Sequence, residues 1–366
     1  MVQASPFVLN MGPQHPSTHG VLRLRLVLDG ETVLDVEPIL GYLHSSKEKL
    51  QETHTYVQTV PITDRMDYLA AMTNNLGCAL AIEKLAGISV PDRATYIRVI
   101  MAELQRIASH CFALGVFFND MGAWHSPLMY FLQRREEVLD IFEMVCGARL
   151  TYNYIRPGGV SQDLPPEFFP AVLKFLDELP RTIDEMEQYL WDNEIARART
   201  VNIGVLPRDL AISSSVSGPV LRGSNVKWDI RKNDPYCFYD RFEFNVPVGE
   251  NGDCFDRFMV RLYELRESIK ILNQALEQLP AGPWRSDIPL IFRPQVGDAY
   301  GHIESPRGEL GYYLVSDGSV SPWRFHVRAP SFINLTPLRE MVVGYKLADA
   351  AVIVGSLDVV MGEVDR

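Results

Sequence analysis

Three residues of this chain are of types that hand protons to a substrate, and each sits where its neighbours constrain it. His19 lies in Gly12-Pro13-Gln14-His15-Pro16-Ser17-Thr18-His19-Gly20, where two prolines fix φ and two glycines relax the backbone. Such a stiff turn presents an imidazole, although a turn histidine can equally serve local backbone. Asp120 is the only formally charged residue between Arg106 and Arg134, among Phe112, Phe117, Phe118, Met121 and Trp124, with His110 and His125 nearby. A carboxylate in so apolar a run must be paired, solvated at a helix end near Gly122, or neutralised by a raised pKa. Tyr68 follows Arg65-Met66-Asp67; it reads as a core aromatic unless His19 converges on the same cavity, where its hydroxyl would bind a substrate oxygen. Arg65 and Asp67, two apart, are expected to serve different neighbours.

Other constellations are less productive. His15 and His19 are four apart, but Pro16 forbids the helix that would align them on a metal. The five cysteines, Cys78, Cys111, Cys146, Cys237 and Cys254, form no C-x-x-C pair, so a zinc ribbon, an iron–sulfur cassette and a secreted disulfide framework are all excluded. Arg156, Arg222 and Arg307 each sit in a Gly-rich or Pro-Gly turn without phosphate-loop or dinucleotide spacing. Architectural salt bridges are their expected use.

Positioning these groups falls to a chain of 366 residues, 47% hydrophobic, with a formal net charge of −11. The acidic balance and scattered basic residues argue against nucleic acid as a partner. Read from the sequence, no apolar run approaches a membrane span, and the N-terminus has no signal-peptide pattern.

The first ~40 residues alternate as strands, residues 21–28 and 32–36 joined at Asp29-Gly30. Helical periodicity then predicts a helix from Thr63 or Asp64 to Gly87, a second from Pro91 to about 118, and a third over 127–152. A fourth opens at Pro165-Pro166 and runs to about 191, broken by Pro180. Residues 200–252 read as loops with strand fragments, 253–279 as an amphipathic helix, 304–327 as a hairpin around Asp317-Gly318, and 338–353 as a helix. The expected class is α+β: a central long-helix bundle flanked by small β units from both ends. The expected divisions are an N-terminal hairpin unit (1–45), a helical bundle (46–199), a loop segment (200–252), and a C-terminal helix, hairpin and tail (253–366) packing back on the body.

Collinear motifs run nearly end to end: GPQHPSTHGVLRL, EPILGYLH, DRMDYLAAMTNN, CGARLTYNYIRPGGV, LRGSNVKWDIRKNDPY, YDRFEFNVPVG, IESPRGELGYYLVSDG and GEVDR. On these the chain resembles the quinone-site (D-type) subunits of NADH:quinone oxidoreductase, respiratory complex I, which are similar to nickel–iron hydrogenase large subunits. The resemblance implies a hydrogenase-large-subunit-like fold. It implies that His19 and Tyr68 contact the quinone headgroup and that Asp120 pairs with His19, these three being the catalytic residues. It also implies quinone as substrate, no cofactor or metal held by this chain alone, and electrons from an iron–sulfur cluster in an adjacent subunit. Further implied partners are the C-type subunit and the membrane arm, with the protein in the peripheral arm on the cytoplasmic face of the membrane.

The chain departs from the family pattern in two places. Ser45-Ser46-Lys47-Glu48 stands where relatives read Arg-Gly-x-Glu, and the segment Trp124-His125-Ser126-Pro127 looks one residue longer than usual. Hydrogenase chemistry itself is excluded, since nickel and iron would need two C-x-x-C pairs. An equivalent subunit of a complex fed by ferredoxin or another donor, and a scaffold that has lost the quinone site, are the alternatives. The quinone-site reading requires His19 and Asp120 within hydrogen-bond or water-bridged reach, with Tyr68 facing the same cavity.

Overall fold

The computed structural model describes residues 6–13, 21–122 and 126–366. His19 and the inserted Trp124-His125 therefore lie outside the described residues.

Strands β1 (Phe7–Met11), β2 (Arg23–Asp29) and β3 (Thr32–Ile39) form an antiparallel sheet in sequence order. Alternation in β2 buries Leu24, Leu26 and Leu28, and β3 adds Val33 and Val36 to the same core, so one face is apolar and the other wet. Short helices α1 (Lys47–Glu52) and α2 (Tyr56–Thr63) follow, then α3 (Ala71–Ala86). The helix expected from Thr63 or Asp64 thus starts later; residues 64–70 are an irregular connection between α2 and α3. Buried charge breaks the period there, because Asp64 and Asp67 are both fully buried and take hydrogen bonds from distant elements.

Helix α4 (Asp92–Asp120) is the axis of the molecule. It packs against α3, against α5 (Ser126–Cys146), and against two helices from the second half of the chain. By length and composition α4 could cross a membrane, contrary to the sequence reading, yet 89% of its apolar window is buried inside the protein. Here it is a core helix, buried on all sides, and the charges it carries inward, Arg98, Glu103 and Arg106, are ion-paired. Met121 is its C-cap, and Gly122 supplies the positive φ (+85°) that turns the chain away.

Helix α5 stops six residues before the expected boundary, and a two-stranded ribbon, β4 (Ile155–Arg156) with β5 (Gly159–Val160), follows. Helix α6 (Phe168–Asp192) continues through Pro180 without the expected break. Its apolar stripe (Val172, Phe175, Leu176, Leu179, Ile183, Met186, Leu190) is buried on both sides of the proline, and this packing holds the helix together. Helix α7 (Glu194–Thr200) follows, and within the segment where strand fragments were expected stand three short helices: α8 (Arg208–Ser213), α9 (Gly218–Gly223) and α10 (Ile230–Asn233). Helix α11 (Cys254–Glu277) matches its expectation, capped by the Asp253 side chain accepting from Asp256 N–H at 2.8 Å. Phe258 of α11 meets Phe117 and Phe118 of α4 at ring-centroid distances of 5.8 and 5.0 Å.

The second three-stranded sheet is β6 (Gly297–Ser305), β7 (Gly308–Ser316) and β8 (Arg324–Arg328). Its tight turn is Pro306-Arg307, not Asp317-Gly318, which begins the looser β7–β8 connection. Helices α12 (Pro330–Asn334), α13 (Leu338–Val342), α14 (Leu347–Leu357) and α15 (Met361–Asp365) complete the chain. The single helix expected over 338–353 is split between α13 and α14 by Gly344 in a positive-φ conformation.

The C-terminal segment closes the structure. Asp365 accepts hydrogen bonds from Gly41 and Leu43 N–H at 2.8 and 2.7 Å, and Tyr345 carbonyl accepts from Val33 N–H at 2.9 Å. Periodicity alone cannot reveal that the tail and the N-terminal β unit bind each other.

Candidate functional site

Tyr68 is carried by the 64–70 connection, and that connection is pinned on several sides. Asp64 Oδ2 accepts from Asn153 N–H at 2.9 Å, Asp67 Oδ1 accepts from Leu69 N–H at 3.1 Å, and Gln105 of α4 donates to Leu69 carbonyl at 2.8 Å. Arg307, at the β6–β7 turn, places Nη1 2.6 Å from Asp67 Oδ2 and Nη2 3.2 Å from Asp358 Oδ1, all three residues being fully buried. Arg65 faces outward instead and donates to Pro61 carbonyl, so Arg65 and Asp67 do serve different neighbours.

Tyr68 itself is half-buried. Burial, and next the charge of Asp67, push its phenol above the usual tyrosine value, so it is a protonated hydrogen-bond donor at neutral pH. Asp67 is likewise raised by burial despite its arginine.

Asp120 is the last residue of α4 and is partly buried. Its carboxylate packs directly on Gly355 of α14, where the approach leaves no room for a Cβ. Seven residues on, Gly362 lies equally close to the Tyr68 connection. A Cβ at Gly362 would stand 2.7 Å from Met66 carbonyl and 3.5 Å from Tyr68 Cε1. One segment, α14 through α15, therefore supports both Tyr68 and Asp120. Two of the three site residues read from the sequence lie against this common wall; the third, His19, is outside the described residues.

The wall also contributes Glu363, which the sequence reading did not single out. Glu363 is fully buried, and its Oε2 accepts from Ser331 N–H at 3.1 Å. Burial, reinforced by Asp67, raises its carboxyl to about 7. Its only sequence signal is membership in the GEVDR motif.

Behind Arg307 a buried ladder of charges crosses the core. Arg222 binds Glu264 and Glu304 at 2.7 Å each, His110 meets Glu264 at 2.8 Å, and Arg231 joins Asp229 (2.7 Å) to Glu103 (3.1 Å). Two of the three turn arginines, Arg222 and Arg307, are thus the buried salt-bridge formers expected of them, whereas Arg156 donates to Asn153 carbonyl. Among the described residues no cluster of three or more His, Cys, Asp or Glu is arranged to hold a metal ion.

A family model described as respiratory-chain NADH dehydrogenase, 49 Kd subunit, matches residues 120–296 and 291–366. Full-length relatives agree. The chain is 57% identical over 365 residues to the D subunit of the NADH-quinone oxidoreductase of Dehalococcoides mccartyi strain 195, covering 100% of both chains. It is 54% identical to a D subunit of the same enzyme from Roseiflexus sp. strain RS-1, again over 100% of both. It is 51% identical to the D subunit from Desulforamulus reducens, over 100% of this chain and 99% of that one. The chain belongs to the 49 kDa (D) subunit family of complex I.

Membership in the 49 kDa family gives the buried Asp67–Arg307–Asp358 triad a context. The three residues come from the motifs DRMDY and IESPRGELG and from the segment just before GEVDR, and they meet behind Tyr68. The altered Ser45-Ser46 stretch lies at the start of α1, where Ser46 has a positive φ of 54° and His44 bonds Asp365 carbonyl at 2.7 Å.

Proposed function

We propose that this chain is the quinone-site subunit of a proton-pumping NADH:quinone oxidoreductase, and that Tyr68, His19 and Asp120 form the site. Two-electron reduction of a quinone to a quinol needs one proton at each carbonyl oxygen. Tyr68 donates a hydrogen bond, and then its proton, to one oxygen. His19 does the same at the other, and Asp120 orients its imidazole and holds it charged. Electrons would come from an iron–sulfur cluster held by a neighbouring subunit, consistent with a chain whose cysteines are dispersed. The partners would be that subunit, the C-type subunit and the membrane arm, placing the chain in the peripheral arm at the cytoplasmic face.

The observation that supports this reading best is the common wall: Tyr68 and Asp120, 52 positions apart (120 − 68), both rest on the α14–α15 segment. A partly buried phenol on a non-helical connection, held from behind by a buried ion triad, is preorganised to address a ligand. Photolabelling of the assembled complex with a photoreactive quinone analogue tests it. Label on residues 64–70 that excess quinone displaces is the expected result; label confined to distant segments would sink the assignment.

A further inference from the structure

Three carboxyls, Asp67, Asp358 and Glu363, are buried close together, and Arg307 forms ion pairs with the first two. Arg261 of α11, also buried, is the next cation and is attracted by Asp358. Arg307 is already shared between Asp67 and Asp358, so a third carboxylate sealed beside it carries a charge without an ion partner of its own, which is more costly than binding a proton.

Geometry says which carboxyl takes it. Asp67 and Asp358 each hold Arg307, whereas Glu363 has no ion pair among the described residues. Ser331 serves it from both backbone N–H, at Oε2, and side chain, while its Oε1 has no hydrogen-bond partner among the described residues. Arg307 Nε is likewise unmatched and buried. The other groups near this wall are engaged elsewhere: Arg257 by Ser356 Oγ and the Gly252 and Gly204 carbonyls, the Tyr312 hydroxyl by Asn74 Oδ1, Asp365 by Gly41 and Leu43 N–H, Arg366 by Glu48, and Glu264 by Arg222 and His110.

We propose that Glu363 stores the proton that restores Tyr68 after quinone reduction. This rests on the quinone-site reading of Tyr68. In the step, the Tyr68 O–H bond breaks as an O–H bond forms on the quinone oxygen, the two electrons arriving from the NADH side of the complex. The resulting tyrosinate then regains a proton, and the Glu363 carboxyl becomes a carboxylate. Gly362 brings the backbone of this wall against the Tyr68 ring, and Arg307, which is coupled electrostatically to Asp67, Glu363 and Tyr68 alike, stabilises the charge left behind. Glu363 touches no quinone and acts through Tyr68, so it is a positioning residue. The raised Glu363 value, about 7, lets the store fill and empty near neutral pH.

The test is Glu363→Gln in the assembled complex, read by the pH profile of quinone reduction and by infrared difference spectra of the carboxylic C=O stretch. In the native complex, quinone turnover should fall as pH rises through about 7, where the store empties. Glu363→Gln should lower turnover roughly tenfold and flatten that limb, while NADH oxidation by an artificial acceptor stays unchanged. A C=O band that titrates in the native complex should vanish in Glu363→Gln and shift in Glu363→Asp. An unchanged profile with the band retained would overturn the proposal. If Glu363→Gln assembles poorly, the native band decides: its absence between pH 5 and 9 refutes a protonated store. Tyr68→Phe separates the two readings. If it leaves quinone turnover intact, the site assignment fails; if it impairs turnover and Glu363→Gln does not, only the proton store fails.

Discussion

Arg307 reaches across 240 residues of sequence to hold Asp67, the residue beside Tyr68, at 2.6 Å. The same guanidinium binds Asp358, the C-cap of α14, three residues after Gly355, on which Asp120 packs. A β-turn arginine is thereby the joint between the tyrosine connection and the C-terminal wall.

Removing that joint should be severe. Arg307→Leu leaves Asp67 buried without its counter-ion and takes an ion pair from Asp358, a loss typically of about 3–5 kcal/mol. The variant chain should unfold at markedly lower temperature and accumulate poorly in the complex, as followed by thermal melts and native gels. Arg307→Lys, which keeps charge but not the two-armed reach, should fall between.

Tyr68→Phe deletes one hydroxyl and keeps the packing. Loss of a hydrogen bond to a buried quinone oxygen, about 1–3 kcal/mol, corresponds to a fall in quinone turnover of roughly fivefold to a hundredfold or more. His19→Ala should fall at least as far, since a ligand and a proton donor go together. Electron transfer from NADH to an artificial acceptor should hardly change in either. Parallel loss of both activities with poor assembly would mark these residues as structural.

Gly355→Ala introduces a Cβ where the Asp120 carboxylate packs. Because the glycine is helical, the backbone tolerates alanine; the collision with Asp120 is the whole effect. Quinone turnover should drop severalfold with the melting temperature nearly unchanged. A normal rate would mean that the position of Asp120 is not critical.

The pH dependence of stability carries a definite sign at Asp64. Burial raises its carboxyl to about 7, against an unfolded value near 3.9. Below the unfolded value both states are protonated and nothing is lost. Between the two values the unfolded chain ionises first, so stability falls by up to roughly 1.4 kcal/mol per pH unit and levels off above about 7. Asp64→Asn should flatten this decline in thermal melts between pH 5 and 8. Glu264 works in the opposite sense. Although burial opposes it, Arg222 and His110 hold its carboxyl well below the usual range, so its stabilisation is complete above the unfolded value and fades in acid.

Local periodicity made α4, α11 and the β2–β3 hairpin legible, because each buries a stripe or face whose spacing is set by its own geometry. It failed where a tertiary partner outweighed the local pattern. Residues 64–70 look helical until Arg307 and Asn153 claim Asp67 and Asp64. Pro180 looks like a break until the neighbouring apolar stripe holds α6 together. Of the candidate site, Tyr68 and Asp120 are visible by residue type and setting. Glu363 is not, since a glutamate in a polar tail differs from a solvated one only after the tail is known to be buried.

The α14–α15 segment is also a matter of timing. Residues 355–363, which back Tyr68 and Asp120, leave the ribosome after the rest of the site. Until they arrive, Asp67 and Arg307 lack part of their cage, and Gly41 and Leu43 lack the carboxylate of Asp365. The proposed quinone site is thus completed only once the C-terminal segment has emerged and packed against the Tyr68 connection.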